Sequence, residues 1–214
     1  MATIRDVAKR ANVSVATVSR YLNGAQLRED NRARIAAAID ELGYQPNLIG
    51  RAFATAHSYT VGILISSATN PFAASLMGLI EHELERLGYA AVFVEYQGDA
   101  EFLREKVDFL QMHQVDGLVV VLSELEPARV QFLRETDVPL VLIDNPLVGP
   151  GADSIVVDNC EAVRKAVGAL LDAGHRRVGL VAMPQISHVG TERSRGWRLA
   201  YEERGLAIDE ALVR

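Results

Sequence analysis

The sequence predicts an all-α head of three short helices, followed by an α/β body built on a parallel sheet. Three observations carry that prediction. Through the first 45 residues, apolar side chains recur at helical spacing, in segments bounded by capping and turn residues. From Thr60 onward, continuous Val/Leu/Ile runs alternate with helical segments, as in strands buried on both faces. Charge is divided unevenly, with a net +3 over residues 1–60 and a net −9 over residues 61–214.

The first helix begins at Thr3, which with Asp6 forms a T-x-x-D capping pattern. Ile4, Val7, Ala8 and Ala11 then supply an i, i+3, i+4, i+7 stripe. Asn12 stands where a tight turn needs a left-handed residue, a conformation Asn tolerates. Ser14 is placed to cap the second helix, which ends near Asn23-Gly24. Ile35, Ala38, Ile39 and Leu42 form the stripe of a third helix that stops at Gly43. Each stripe is one-sided, so the three helices are expected to share one small core. Pro46 breaks the third pattern, and residues 47–56 read as one weak helix or a linker, since Gly50 lowers helix propensity.

Strands are predicted at 61–66, 90–96, 117–122, 139–144 and 177–183, with helices at 71–88, 101–114, 126–136, 160–173 and 192–204. The run "DSIVVDN" (153–159) reads as a crossover into a second sheet that begins with "RVGLVAM". Trp197 and Tyr201, one helical turn apart, are expected in the core.

The chain has 214 residues, 49% of them apolar and 23% charged, which fits a globular protein with a sizeable core. No apolar stretch is long enough to span a bilayer, and "MATIRDVAKR" lacks the apolar centre of a secretory signal. Cys160 is the only cysteine, so no internal disulfide or cysteine metal cluster is possible. The cytoplasm is the expected compartment, and no membrane association is expected.

The stretch "SVATVSRYLNG" (14–24) sets four hydroxyl side chains and Arg20 around an apolar stripe only two residues wide, Val18 and Leu22. A solvated helix would fill its outer face with Glu and Lys. Small hydroxyls and one arginine instead suit close approach to an anion. With the preceding helix and the tight turn, this describes a helix-turn-helix. Val15, Ala16, Ser19 and Arg20 share a face, and an arginine there can pair with guanine in a major groove. The residues alone leave open a plain three-helix bundle with a solvated polar face.

"TIRDVAKRANVSVATVSRYLNG" resembles the N-terminal signature of the lactose-repressor (LacI/GalR) family of bacterial transcription regulators. The likeness continues through "ELGYQPN", "VGILISSATNPF", "VDGLVVV", "VPLVLID", "SIVVDN", "LLDAGHRRVGLVAM" and "RSRGWRLAYEERGL", across essentially the whole chain. It implies an all-α helix-turn-helix head (1–45), a hinge helix and linker (46–60), and a parallel-sheet α/β body. That body would be periplasmic-binding-protein-like and two-lobed, with a first lobe over 61–150 and a second, incomplete lobe over 151–214. The implied activity is sequence-specific binding of a palindromic double-stranded DNA operator by a homodimer that represses transcription, with affinity set by a small, sugar-like effector. Dimerisation would draw on helix 71–88. No cofactor and no metal are implied.

The resemblance also implies residue roles. Val15 and Ala16 match the pair that selects operator bases, and Arg20 matches a base-reading arginine. Ser14, Thr17, Ser19, Asn23, Tyr44 and Asn47 match positions that meet the phosphate backbone. Residues 48–56, with Arg51 and Phe53, match a hinge helix that enters the minor groove. Phe53 stands where a wedging leucine is usual, and Gly50 where alanine is common. Arg28 replaces a helix-capping serine. Ser66, Phe72, Asp144 and Arg193 match effector-pocket positions. Ala73 stands where many members place a second aromatic, which favours a sugar over a stacked purine. Family members continue beyond the equivalent of Arg214, so these residues alone are expected to bind effector poorly.

Two other classes fit less well. A solute receptor would lack the basic head and carry a secretion signal. A dinucleotide enzyme would need G-x-G-x-x-G after the first strand, where "VGILISSATNPF" stands. The chain has no Walker loop, no G-x-S-x-G elbow and no histidine pair at i, i+4.

Overall fold

The computed structural model describes residues 2–45, 57–122, 125–146, 152–181 and 187–213. It divides into two compact units, Met1–Ser58 and Tyr59–Arg214.

The first unit holds α1 (Ile4–Arg10), α2 (Val15–Leu22) and α3 (Glu29–Leu42). Thr3 and Asp6 close a full capping box: the Thr3 hydroxyl accepts from the Asp6 amide, and the Asp6 carboxylate accepts from the Thr3 amide at 2.8 Å. The Thr3 hydroxyl also donates to Asp6 Oδ2 (2.7 Å), and this bond first, with the one from the Thr3 amide, holds the Asp6 carboxyl below the usual carboxylate range. Asn12 takes the left-handed conformation the turn requires (φ 50°), and Gly24 and Gly43 take it after α2 and α3. Val7, Ala8, Ala11, Val18, Ile35 and Ala38 form the shared core. Arg28 is the N-cap of α3 and its side chain makes no capping bond. The Arg10–Glu41 ion pair (2.5 Å) ties α1 to α3.

The second unit is built on five parallel strands: β1 (Thr60–Ile65), β2 (Ala90–Glu95), β3 (Gly117–Val121), β4 (Leu140–Ile143) and β5 (Asp153–Ile155), in the order β2-β1-β3-β4-β5. Alternation along the strands sends side chains to two cores. Leu64, Leu118 and Val120 join Leu103, Val107 and Leu110 of α5 (Ala100–Met112) on one face. Ile63, Ile65 and Val121 join Ala73, Met77 and Ile80 of α4 (Pro71–Arg86) on the other. Continuous apolar strands are therefore the expected consequence of two covered faces.

A third core lies between α6 (Asn159–Asp172) and α7 (His188–Glu202), where Val167 and Leu171 meet Trp197, Ala200 and Tyr201. Gly196 lets these helices touch, because a Cβ there would overlap the Cys160 carbonyl oxygen. Arg164 of α6 bonds Glu161 on its own helix (2.6 Å) and Glu203 just past α7 (2.8 Å). Arg204 grips Asp172 through two bonds of 2.7 Å. Cys160 is buried, as a lone small apolar side chain should be, and desolvation pushes its thiol pKa up.

Four sequence expectations need correction. Residues 153–155 are not a crossover into a second sheet; they are the fifth strand of the first, paired to Val141–Ile143. Residues 177–181 are not a strand. Their sole ladder partner among the described residues is a parallel bridge, Leu180 to Val213. Side chains from α7 are the reason: the Val178 carbonyl accepts from Trp197 Nε1 (2.9 Å) and its amide donates to the Tyr201 hydroxyl (2.8 Å), so they occupy groups a ladder would use. Pro127–Glu135 is a 3₁₀ helix rather than an α-helix. Three residues per turn bring Val130 and Leu133 into line, and both are fully buried. Finally, α7 begins at His188, earlier than the expected 192, because Ser187 caps it by accepting from the Gly190 amide (3.1 Å).

Two outcomes follow from the α6–α7 pair. Gly196→Ala should cost about 1–3 kcal/mol, the range for overpacking against an unyielding neighbour, measured by urea denaturation. The Glu161 carboxyl is lowered to about 2 by hydrogen bonds from Arg164 and Lys165. A depressed carboxylate contributes stability above its unfolded value, about 4.3, and loses it as pH falls towards the folded one. Wild type should therefore lose more stability than Glu161→Gln on titration from about pH 5 to about pH 2, read from melting temperatures.

Candidate nucleic-acid interface and ligand site

Core formation in the first unit decides which side of α2 faces out. Val18 is 0% exposed, whereas Val15, on the same short helix, is 42% exposed. Ser14, Ala16, Arg20 and Asn23 are exposed, and Thr17, Ser19 and Tyr44 are half-buried. Ser14 has a local duty: its hydroxyl accepts from the Thr17 amide (3.1 Å) and lies 2.8 Å from the Thr17 hydroxyl. Arg20 forms no ion pair among the described residues, in contrast to Arg10 with Glu41 and Arg34 with Asp30. The outward surface of α2 is thus small side chains, two hydroxyls already set against each other, and an arginine with no carboxylate. Asn47, Arg51 and Phe53 lie outside the described residues.

In the second unit, two expected ligand residues stand at the carboxyl edge of the parallel sheet. Ser66 follows β1 and Asp144 follows β4, and both are buried. Asp144 has φ 64°, and its amide donates to the Ile155 carbonyl of β5 (2.9 Å). The order β2-β1-β3-β4-β5 reverses between β1 and β3, and ligands of open parallel sheets settle outside the carboxyl ends at such a point. Phe72, in the first turn of α4, is exposed, and its amide donates to Asn70 Oδ1 (3.0 Å). Ala73 is buried against the sheet and offers nothing outward.

Arg193 lies on α7, away from the strand ends in sequence, and its Nε donates to Asn159 Oδ1 at 2.9 Å. Asn159, the first residue of α6, is itself buried and fixed by Nδ2 to the Val157 carbonyl (3.2 Å). Sequence reasoning missed this partner; the signal available was "DN" at a helix start. It also missed Asn145, which follows Asp144 and is fully buried. No group of three or more His, Cys, Asp or Glu able to hold a metal occurs among the described residues. No helix among them is long and apolar enough to cross a membrane.

Comparison with known proteins bears on both units. Residues 3–47 match "Bacterial regulatory proteins, lacI family", and residues 58–214 match "Periplasmic binding proteins and sugar binding domain of LacI family". The chain belongs to the LacI family. A relative named ribose operon repressor, from Haemophilus influenzae, is 31% identical over 98% of this chain and 63% of its own length. The transcriptional repressor PurR of Pectobacterium carotovorum is 31% identical over 100% and 63%. The lac repressor dimer, solved with operator and the anti-inducer ONPF, superposes with a TM-score of 0.83 at 26% identity, covering 96% of this chain and 63% of that one. A CelR–cellobiose complex gives 0.64 at 30% identity, covering 100% and 65%. The chain spans 63% of the length of the two named relatives.

Removing the Ser14 cap tests how α2 is held in this family member. Ser14→Ala should lower the stability of the first unit by about 1 kcal/mol, measured by thermal melting of the helical signal, and Ser14→Asp should restore most of it.

Proposed function

We propose that the protein is a sequence-specific transcriptional repressor that acts as a homodimer on a palindromic operator. The supporting observation is the outer face of α2: Val15, Ala16 and Arg20 exposed together, with Arg20 unopposed by any carboxylate among the described residues. An arginine can pair bidentately with guanine O6 and N7, and small neighbours let the helix enter the groove that far. Ser14, Thr17, Ser19, Asn23, Tyr44 and Asn47 would meet phosphates and fix the register. Arg51 and Phe53 would serve a hinge over 46–60, with Phe53 as the wedge between base steps.

In the body, a first lobe built on the sheet, β5 included, and part of a second that follows it would share a small hydroxylated effector, held by Ser66, Phe72, Asp144 and Arg193. The lac repressor and CelR structures, solved with a ligand each, support this use of the fold. Effector binding would bias the lobes between two arrangements and so change operator affinity. The reading places the protein in the cytoplasm, where its operator is, and includes no catalytic step; the relatives named above are repressors.

Selection of bound duplexes from random DNA should return a two-fold symmetric site. Against that site, Arg20→Ala should reduce discrimination at one base pair of each half-site by about 1–3 kcal/mol, read by competition among single-base variants. Unchanged base preference after this substitution would remove Arg20 from the reading.

A further inference from the structure

We infer that the free flank of α5 is a contact for a second copy of this chain, with the two α5 helices side by side and parallel about a two-fold axis. The contact depends on neither the DNA reading nor the effector reading. It is also separate from α4, which packs on the opposite face of the sheet, so it adds to a homodimer formed through that helix.

Each side of α5 has its own use. Leu103, Val107 and Leu110 point into the sheet core. On a second side, Arg104 lies over the Phe132 ring of the 3₁₀ helix, 4.1 Å from its centroid. On the flank away from that contact, Phe102 is 47% exposed, Phe109 42% and Met112 75%. Helical spacing sets Glu105 and Lys106 between the two rings and His113 beside Met112, so all six share this flank. Val92 lies on the edge strand β2, two residues before Val94 and so on the sheet face that α5 covers, and it is exposed too. Scattered exposed apolar residues need no explanation, but a continuous stripe of this kind marks a contact site. Phe109 is already held for one: the His113 ring stands 4.2 Å from it, and His113 Nδ1 donates to the Phe109 carbonyl (2.8 Å). A ring fixed beforehand loses little freedom on association.

Charge says what covers the stripe. Glu105 and Lys106 form no ion pair among the described residues, unlike Glu83 and Arg86 on α4. They flank the line joining the two phenylalanines, one on each side of it. A two-fold axis along the paired helices exchanges those sides at the same height. Phe102 then meets the partner's Phe102, Phe109 meets the partner's Phe109, and Glu105 meets the partner's Lys106, the ion pair occurring twice by symmetry. Met112 meets the partner's His113, sulfur against a ring. An antiparallel two-fold would instead set Glu105 against the partner's Glu105 and Lys106 against the partner's Lys106, so charge selects the parallel arrangement. One chain that supplies both signs, placed evenly about an apolar line, has the self-complementarity that a contact between identical copies requires.

The test uses the full 214-residue chain and two single variants, Glu105→Lys and Lys106→Glu, read by sedimentation velocity over a concentration series. Glu105 is exposed and Lys106 half-buried, and neither belongs to a core, so both variants should fold. Wild type should form larger species than either variant alone. The midpoint concentration of that association should rise by about tenfold or more in each variant, because like charges then face each other twice. An equimolar mixture of the two variants should recover the wild-type behaviour, since the new lysine of one copy faces the new glutamate of the other. Variants that associate like wild type overturn the inference, and so does a mixture that stays apart. A wild type that forms no larger species than its variants overturns it as well, and leaves the stripe to a different protein.

Discussion

Val18 is the residue on which the first unit turns. It is the one fully buried side chain of α2, packed in a core with Val7, Ala8, Ala11, Ile35 and Ala38. Burying one aliphatic side chain of this kind contributes about 1.5–3 kcal/mol, enough to fix the rotation of an eight-residue helix that would not persist alone in water. With Val18 inward, Ala16 and Arg20 fall on the opposite side of the helix, and Val15 is left 42% exposed at the edge of the core. The outward face of α2 is therefore a consequence of core packing. A narrow apolar stripe is what frees most of the helix surface for another task.

The body solves a different problem with the same economy. Both faces of its sheet are committed to helices, Leu64 and Val120 to one side, Ile63 and Val121 to the other. Neither face has room for a ligand. What remains are the strand ends, and at the carboxyl end the polar residues gather: Ser66 after β1, Asp144 and Asn145 after β4.

Sequence alone disclosed the parts whose causes are local. The Thr3–Asp6 box, the left-handed Asn12, the Ser14 cap and the glycines after α2 and α3 each depend on a few neighbouring residues, and all stand where the residues predict. The doubly buried strands were legible because burial on two faces leaves a continuous apolar run. The two misread strands share one origin, a backbone decided by distant partners. Asp153–Ile155 is short and exposed along its length, and only the open edge of β4 makes it a strand. Residues 177–181 have the composition of a strand, but Trp197 and Tyr201, about 20 positions on, take the Val178 backbone groups. At the candidate site, Ser66, Asp144 and Arg193 could be named from resemblance, whereas the burial of Asn145 and the bond from Arg193 to Asn159 exist only in three dimensions.

Charge completes the division of labour. On the proposed reading, the chain must approach a polyanion in one orientation despite a net charge of −6. A uniformly basic protein would bind nucleic acid through many faces and spend its affinity on unspecific sites. Here the +3 of residues 1–60 attracts, while the −9 of residues 61–214 repels. Much of the body's positive charge is also neutralised internally: Arg164, Arg177, Arg195, Arg198 and Arg204 each pair with a carboxylate. Arg20 is not neutralised in this way. The same side-chain type thus serves two ends. Where a carboxylate sits within reach, arginine fastens helices together; where none does, it keeps its charge for a partner. On that reading, the pairing of each arginine, more than the total charge, decides which surface is left to meet DNA.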